Sequence, residues 1–575
     1  MPATMKKQIL SIILVLSVLA ACKKTLDQQP QGVISSDELN TPTNIEKMVI
    51  AAYSSLGNEN LHTSNSLWPW GSMRSGDAYK GGDGVGDNSE WNDYETFVTN
   101  QNTNSLTDQM WAQLYNGIAR VNNALQRVEQ IDAGSYPQKI QRQAEMRFLR
   151  GNYYFMLKIM WNRVPYIDES IAVDQYINIS NVALTSDQLW DKIAADFRYA
   201  ADNLPATQAD KGRPTKYAAQ AYLAKTELYQ AYKQNDEHTV TGIDQTKLNQ
   251  VVTLCDSVIN YSGYALAGDF GDNFLTANEN GPESIFAIQY SKNDGTQFGR
   301  IDMGHSLVYP MNQEFGCCWQ HIPSQDLVNS FKTASTGLPL FTGYNNSDAI
   351  EGGDFLNQTF DPRLDHTVAI PGHPYKYDPK FVYQKTWARA PAIYGYFSEL
   401  KGTVDASDPS FQKIPPFMSS SKNWELIRFA DVLLWKAEAL IELGRPQDAL
   451  PLVNQVRQRA AVSTSRLKQT DGSATSNYKV ATYQPGVNCN WTQDFARQAL
   501  RTERRLEFAL EGNRFFDLVR WGIADTYLNS YFTSESSKRS YLKNAKFTKG
   551  RDEYLPIPLN QINYSKGLYK QNPGF

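Results

Sequence analysis

Residues 501–522 read RTERRLEFALEGNRFFDLVRWG, a dense set of charges laid over a nearly continuous apolar stripe. Leu506, Ala509 and Leu510 recur at three and four residues, the spacing of one helix face. Arg501/Arg505 and Arg504/Glu507 stand close enough along that helix to pair with other charges. Gly512 and Asn513 suit a left-handed cap, and Phe515, Phe516, Leu518, Val519 and Trp521 begin a second apolar segment. The stretch predicts a buried helical corner. Its Arg and Glu side chains read as a structural ion-pair network tying helices together rather than as a catalytic set.

The same periodicity extends outward from this corner. Met48, Val49, Ala52 and Tyr53 mark a first helix over residues 45–56. Met110, Trp111, Leu114, Tyr115, Ile118, Val121 and Leu125 form the face of a second, and helices over 140–161, 189–204, 215–232 and 248–259 follow. Residues 427–460 give a further pair, in which Ala437, Leu440, Gly444 and Ala449 follow a tetratricopeptide-like pattern whose small residues let paired helices approach closely. The expected fold is therefore mostly α: a tetratricopeptide-like scaffold of helical pairs over about 108–262 and 423–522. It carries a loop-rich, aromatic-rich irregular subdomain from about 58–107 and 264–420. Residues 462–490 read as an exposed loop, and the tail as irregular chain packed by Leu555, Ile557 and Leu559.

At the amino end, Lys6 and Lys7 precede an apolar run over 9–19 that closes in Leu19-Ala20-Ala21-Cys22. The run is too short for a permanent transmembrane helix, and small residues before the cut suit a signal peptidase. Residues 1–21 read as a lipoprotein signal, Cys22 as the lipidated residue of a membrane anchor, and 22–575 as one domain. Removing 1–21 deletes Lys6 and Lys7, taking the formal charge from −4 to −6. Nucleic acid is an unsuited partner for such a chain.

Four cysteines remain after lipidation: Cys255, Cys317, Cys318 and Cys489. In an oxidising compartment the adjacent Cys317 and Cys318 could close a vicinal disulfide, a rigid apolar plate beside Trp319, or remain two buried thiols next to a core tryptophan. The 81–87 segment, GGDGVGD, lacks nucleotide-loop or calcium-loop spacing and reads as a flexible loop, with calcium near Asp83 left open. No metal or cofactor is expected.

Several blocks carry a family resemblance. ERRLEFALEGNRFFDLVRWG resembles the C-terminal signature of the SusD/RagB-like outer-membrane nutrient-binding lipoproteins of Bacteroidetes. QRQAEMRFLRGNYYFMLKIMWNRVPYIDE, GRPTKYAAQAYLAKTELYQAY, DPRLDHTV and LPIPLNQI followed by QNPGF resemble further family blocks, in family order. The resemblance implies a surface-exposed outer-membrane lipoprotein that binds an oligosaccharide and hands it to a SusC-like TonB-dependent barrel, on which it sits as a lid. It implies binding rather than cleavage. An oligopeptide ligand, as in the RagB branch, is the alternative, and a glycoside hydrolase a weaker one. Neither HExxH nor GxSxG nor a Walker loop occurs.

Aromatics interleaved with short polar residues suit sugars, which offer flat apolar faces and hydroxyls. The expected ligand-binding set is Trp68, Trp70, Asp77, Tyr79 and Trp91 from the early loop, with Cys317, Cys318, Trp319 and Arg389 from the later region.

Overall fold

In a computed structural model of the protein, residues 39–57, 60–295, 300–414 and 417–575 are described. The proposed signal segment and Cys22 lie outside them. Helix α1 (Pro42–Tyr53) is capped by the Thr41 side chain and packs on α2 (Ser105–Gln130). Then α3 (Lys139–Trp161), α4 (Ser186–Asn203), α5 (Lys216–Ala231) and α6 (Gln245–Tyr261) follow, each packed on its predecessor. Their starts are fixed locally. Thr185 and Gln188 form a reciprocal capping box at α4, and Thr215 and Asp244 cap α5 and α6 by accepting from free amides of the first turn.

The helical stretches that the sequence separates by some 160 residues form one array. Helix α6 packs directly on α7 (Phe429–Glu442), which packs on α8 (Pro446–Val462) and α9 (Gln493–Glu507). Helices α10 (Arg514–Arg520) and α11 (Ala524–Glu535) complete the corner. Helix α9 begins at Gln493, earlier than the 501–510 periodicity alone marks, because Thr492 caps it.

The irregular regions are held by short antiparallel ribbons rather than by a broad sheet. Strand β1 (Ala78–Gly81) pairs with β3 (Gln320–Pro323) in the register Ala78↔Pro323, Tyr79↔Ile322 and Gly81↔Gln320. Strand β2 (Ser284–Ile288) pairs with β4 (Trp424–Arg428), which leads straight into α7. The early region also folds a π-helical turn at Trp68–Met73 and a short helix at Ser89–Thr96, where the sequence shows no period.

The corner is a buried charge network, as its composition predicts. Glu507 accepts from Arg363 and Arg428, both at 3.0 Å, and from Arg459. Glu503 joins Arg363 at 2.7 Å and Arg457 at 2.9 Å, and Glu511 joins Arg428 at 2.9 Å and Lys401 at 2.7 Å. Arg505 and Glu507 do not pair with each other: Arg505 reaches across to Asp77 at 2.9 Å and Asp326 at 2.6 Å. Burial raises the Glu507 carboxyl's pKa, but Arg459, Arg428 and Arg363 outweigh it and hold the group well below the usual carboxylate range. Gly512, at φ +78°, lets this corner meet the early loop: a Cβ there would lie 2.0 Å from the Ser66 carbonyl oxygen. Its amide donates to Ser72 Oγ at 3.1 Å.

Candidate functional site

The two irregular regions converge where β1 meets β3. The ribbon sets the 81–87 loop beside Cys317, Cys318 and Trp319, and the Gly82 amide donates to the Trp319 carbonyl at 2.8 Å. Cys317 and Cys318 are joined as a vicinal disulfide. Cys317 is half-buried and Cys318 buried, so one edge of the bridge faces outward.

The loop is organised by a lysine. Lys80 Nζ donates to the carbonyls of Gly81 and Gly84, both at 2.9 Å, and to that of Asp87. An ammonium thus stands where carbonyls converge, the position a cation would take in a metal loop. Burial pushes Lys80 down to about 8 against the raising influence of Glu95 and Asp87. Glu95, which accepts the Lys80 amide, is pushed by burial up to about 7 although Tyr541, Lys80 and that amide favour its charged form. Among the described residues no group of three or more His, Cys, Asp or Glu side chains could hold a metal ion.

Arg389 closes the third side, with Nη1 3.1 Å from Asp87 and Nη2 3.6 Å from Asp83. Its segment, 385–396, also carries the half-buried rings of Trp387 and Tyr396. The Met311 amide donates to the Trp387 carbonyl at 2.9 Å, fixing this segment against the turn that leads to Cys317. Phe381 packs 4.9 Å from Trp387, and Lys385 Nζ lies 5.1 Å from the Tyr396 ring centre. Three segments are therefore tied to one another: 81–87 to 385–396 through Arg389, and 311–318 to 385–396 through the Met311 amide. Between them they carry a half-buried disulfide cysteine, two half-buried rings and a guanidinium anchored by carboxylates.

Six of the expected site residues are interior, which corrects the reading of them as an accessible plate. Trp68, Trp70, Tyr79, Trp91 and Trp319 are all 0 % exposed, as is Asp77, and a ring without an accessible face has none to offer a sugar. Trp68 stacks on His321 at 4.9 Å, meets Trp91 edge-on at 4.8 Å and donates its indole N–H to the Gly304 carbonyl at 2.9 Å. Trp70 meets Tyr94 edge-on at 5.1 Å. Tyr79 OH accepts from the Gln325 amide at 3.0 Å and bonds Glu535. Trp319 donates to the Phe397 carbonyl at 3.0 Å, and Asp77 is the partner of Arg505. Trp387 and Tyr396 are not among the expected residues, because their segment shows no helix or strand period in the sequence. The only sequence signal was their nearness to Arg389.

A family model described as the SusD family matches residues 282–575, and another, described as starch-binding associating with outer membrane, matches residues 24–228. A SusD-like protein of Formosa agariphila is 24 % identical over 581 residues, covering 96 % of this chain and 95 % of that protein. One from Bacteroides ovatus is 27 % identical over 551 residues, covering 92 % and 85 %. Among solved structures, surface glycan-binding protein A of Bacteroides thetaiotaomicron in complex with laminarihexaose superposes with a TM-score of 0.66 at 21 % identity. That match covers 92 % of this chain and 99 % of that one. Among the described residues no helix is long and apolar enough to cross a membrane.

Proposed function

The chain belongs to the SusD family, and from that premise we propose that it binds an oligosaccharide on the face shared by the 81–87 loop, the Cys317 and Cys318 bridge and the 385–396 segment. One observation supports the reading: hydrogen bonds and ion pairs tie together the segments that carry Trp387, Tyr396, the disulfide and Arg389, although these come from distant parts of the sequence. Flat apolar plates with hydrogen-bonding groups at their margins match the two kinds of surface on a sugar ring. The plates are pre-ordered, by a covalent bridge at Cys317 and by Asp87 at Arg389, so little side-chain entropy is lost on binding. That a relative of this fold is solved with laminarihexaose supports a glycan over a peptide. The reading extends to the chain's setting: a lipoprotein anchored through Cys22 to the outer membrane, passing its ligand to a SusC-like TonB-dependent barrel. It binds and does not hydrolyse.

Calorimetry against panels of oligosaccharides and peptides, with a reducing-sugar assay alongside, tests it. Heat from a glycan without released reducing ends is the expected result, and Trp387→Ala should weaken that binding on the order of ten-fold through loss of a stacked ring. Heat from peptides alone would overturn the glycan, and released sugar would overturn the binding-only reading.

A further inference from the structure

Several cationic side chains meet the 385–396 segment with their charge already matched. Arg389 pairs with Asp87 and Asp83, and Lys385 Nζ lies 2.6 Å from Glu351. Lys80 Nζ, 5.8 Å from the Tyr394 ring centre, is held by three carbonyls. Arg539, shortly after α11, meets the same segment unmatched. Its guanidinium lies against Gly395: a Cβ there would overlap Nη2 and stand 3.3 Å from Cζ. Glycine at φ +83° makes that room, next to the half-buried Tyr396.

The guanidinium is held in place by an aromatic ring. Arg539 Nε donates to Tyr79 OH at 3.2 Å, and Cζ lies 5.3 Å from the Tyr79 ring centre. Tyr79 is itself interior, fixed by the Gln325 amide and by Glu535. The arginine is thus aligned by a phenol, and Glu535, which bonds Tyr79, stands beyond pairing distance of it. Burial works against its charge, but Tyr79 and Glu535 outweigh that and keep its pKa above the ordinary arginine value. Nη1 and Nη2 make no hydrogen bond or ion pair among the described residues, and in this half-buried side chain they remain accessible. A positioned cation with two free donors is a receptor for an anion.

We propose that the oligosaccharide bound at this face is acidic, carrying a carboxylate or sulfate group that Arg539 takes through Nη1 and Nη2. This inference rests on the glycan reading and names the class of glycan. The two terminal nitrogens of a guanidinium match two oxygens of either group in parallel hydrogen bonds, which a lone hydroxyl does not reproduce. Because Tyr79 and Gly395 already fix the side chain, little rotamer freedom is lost when the anion arrives.

The test is calorimetry on the whole protein with oligogalacturonates, oligoalginates and sulfated carrageenan oligosaccharides. Each is set against its neutral counterpart, the methyl ester or the desulfated chain, so the two acid types are told apart. At least one acidic chain should bind about ten-fold tighter than its neutral counterpart. Arg539→Gln should bring the pair close to parity, while Arg539→Lys, which keeps the charge and loses the fork, should retain part of the preference. Lys211→Gln removes the same charge from the exposed loop between α4 and α5 and should keep the preference whole. In the native protein the acidic chain should also protect Arg539 from phenylglyoxal, read by peptide mass. Neutral chains binding as tightly as acidic ones, a preference that survives Arg539→Gln, or equal modification with and without the acidic chain overturns the inference and leaves the glycan reading standing. Absence of binding by every oligosaccharide, neutral or acidic, overturns that reading and the inference with it.

Discussion

Glu507 lies among three guanidiniums and has no contact with water, so its removal strands charge that has nowhere else to go. Glu507→Ala and Arg505→Ala should each lower unfolding free energy by about 3 to 5 kcal/mol, because breaking a buried pair leaves its partners uncompensated. The two losses should be nearly additive, since the residues serve different partners. Urea titration of the single and double variants checks both points. The folded Glu507 carboxyl is held below its ordinary value of 4.5, so its stabilising contribution is complete above that pH and is lost as pH falls through its lower folded range. Stability of the native protein should therefore fall more steeply on acidification than that of Glu507→Gln, measured by melting between about pH 3 and 6. That these residues form a network was legible from the density of charge on an apolar stripe. Their partners were not: Arg505 and Asp77 lie 428 residues apart, and only the fold joins them. The same limit explains the tryptophans, since sequence marks a ring as valuable without showing whether it faces water or core.

Helices were legible because a buried face repeats within each one, and a repeat needs no knowledge of what it packs against. The ribbons were harder. Strand β1 is four residues long and buried throughout, so no alternation separates an inner from an outer face. Its consequence is nonetheless large, because pairing with β3 is what sets the 81–87 loop beside the disulfide. That loop should depend on Lys80 more than on any of its glycines. Lys80→Met keeps the apolar stem but leaves the Gly81, Gly84 and Asp87 carbonyls without their common donor. We expect faster amide exchange across 81–87 and weaker ligand binding, with a melting temperature close to that of the native protein. Unchanged exchange would show that the loop is held without Lys80, by Arg389 and the Gly82–Trp319 bond. At the opposite contact, Gly512→Ala should be severely destabilising, since the new methyl group meets the Ser66 carbonyl and the backbone is left-handed. Poor soluble yield or a strongly lowered denaturation midpoint would bear this out.

Across the whole molecule, the array running from α2 to α9 is continuous, and the loop regions are bound to it by the charge network and by the Gly512 corner. Such a body should unfold in a single calorimetric transition, whereas a separable loop subdomain would give two. Reduction of the Cys317 and Cys318 bridge should leave that transition largely in place, because a loop of two residues restricts the unfolded chain little. The proposed anchor belongs to this scale as well. Cys22→Ala should release the protein from the outer membrane once the proposed barrel partner is deleted, as fractionation would show.

The contact between Gly512 and the 66–72 turn also sets an order in time. Some 440 residues separate its two sides, so the early loop has no seat until the ribosome has made nearly the whole chain. Only then can Arg505 reach Asp77. Closing so long a loop is slow, and the half-made protein keeps its first tryptophans without their final neighbours. A chain that cannot finish early stays threadable late, which is compatible with the proposed export of this protein through a translocation pore. Truncation before residue 501 should accordingly yield helices that form but a front half that proteases still cut.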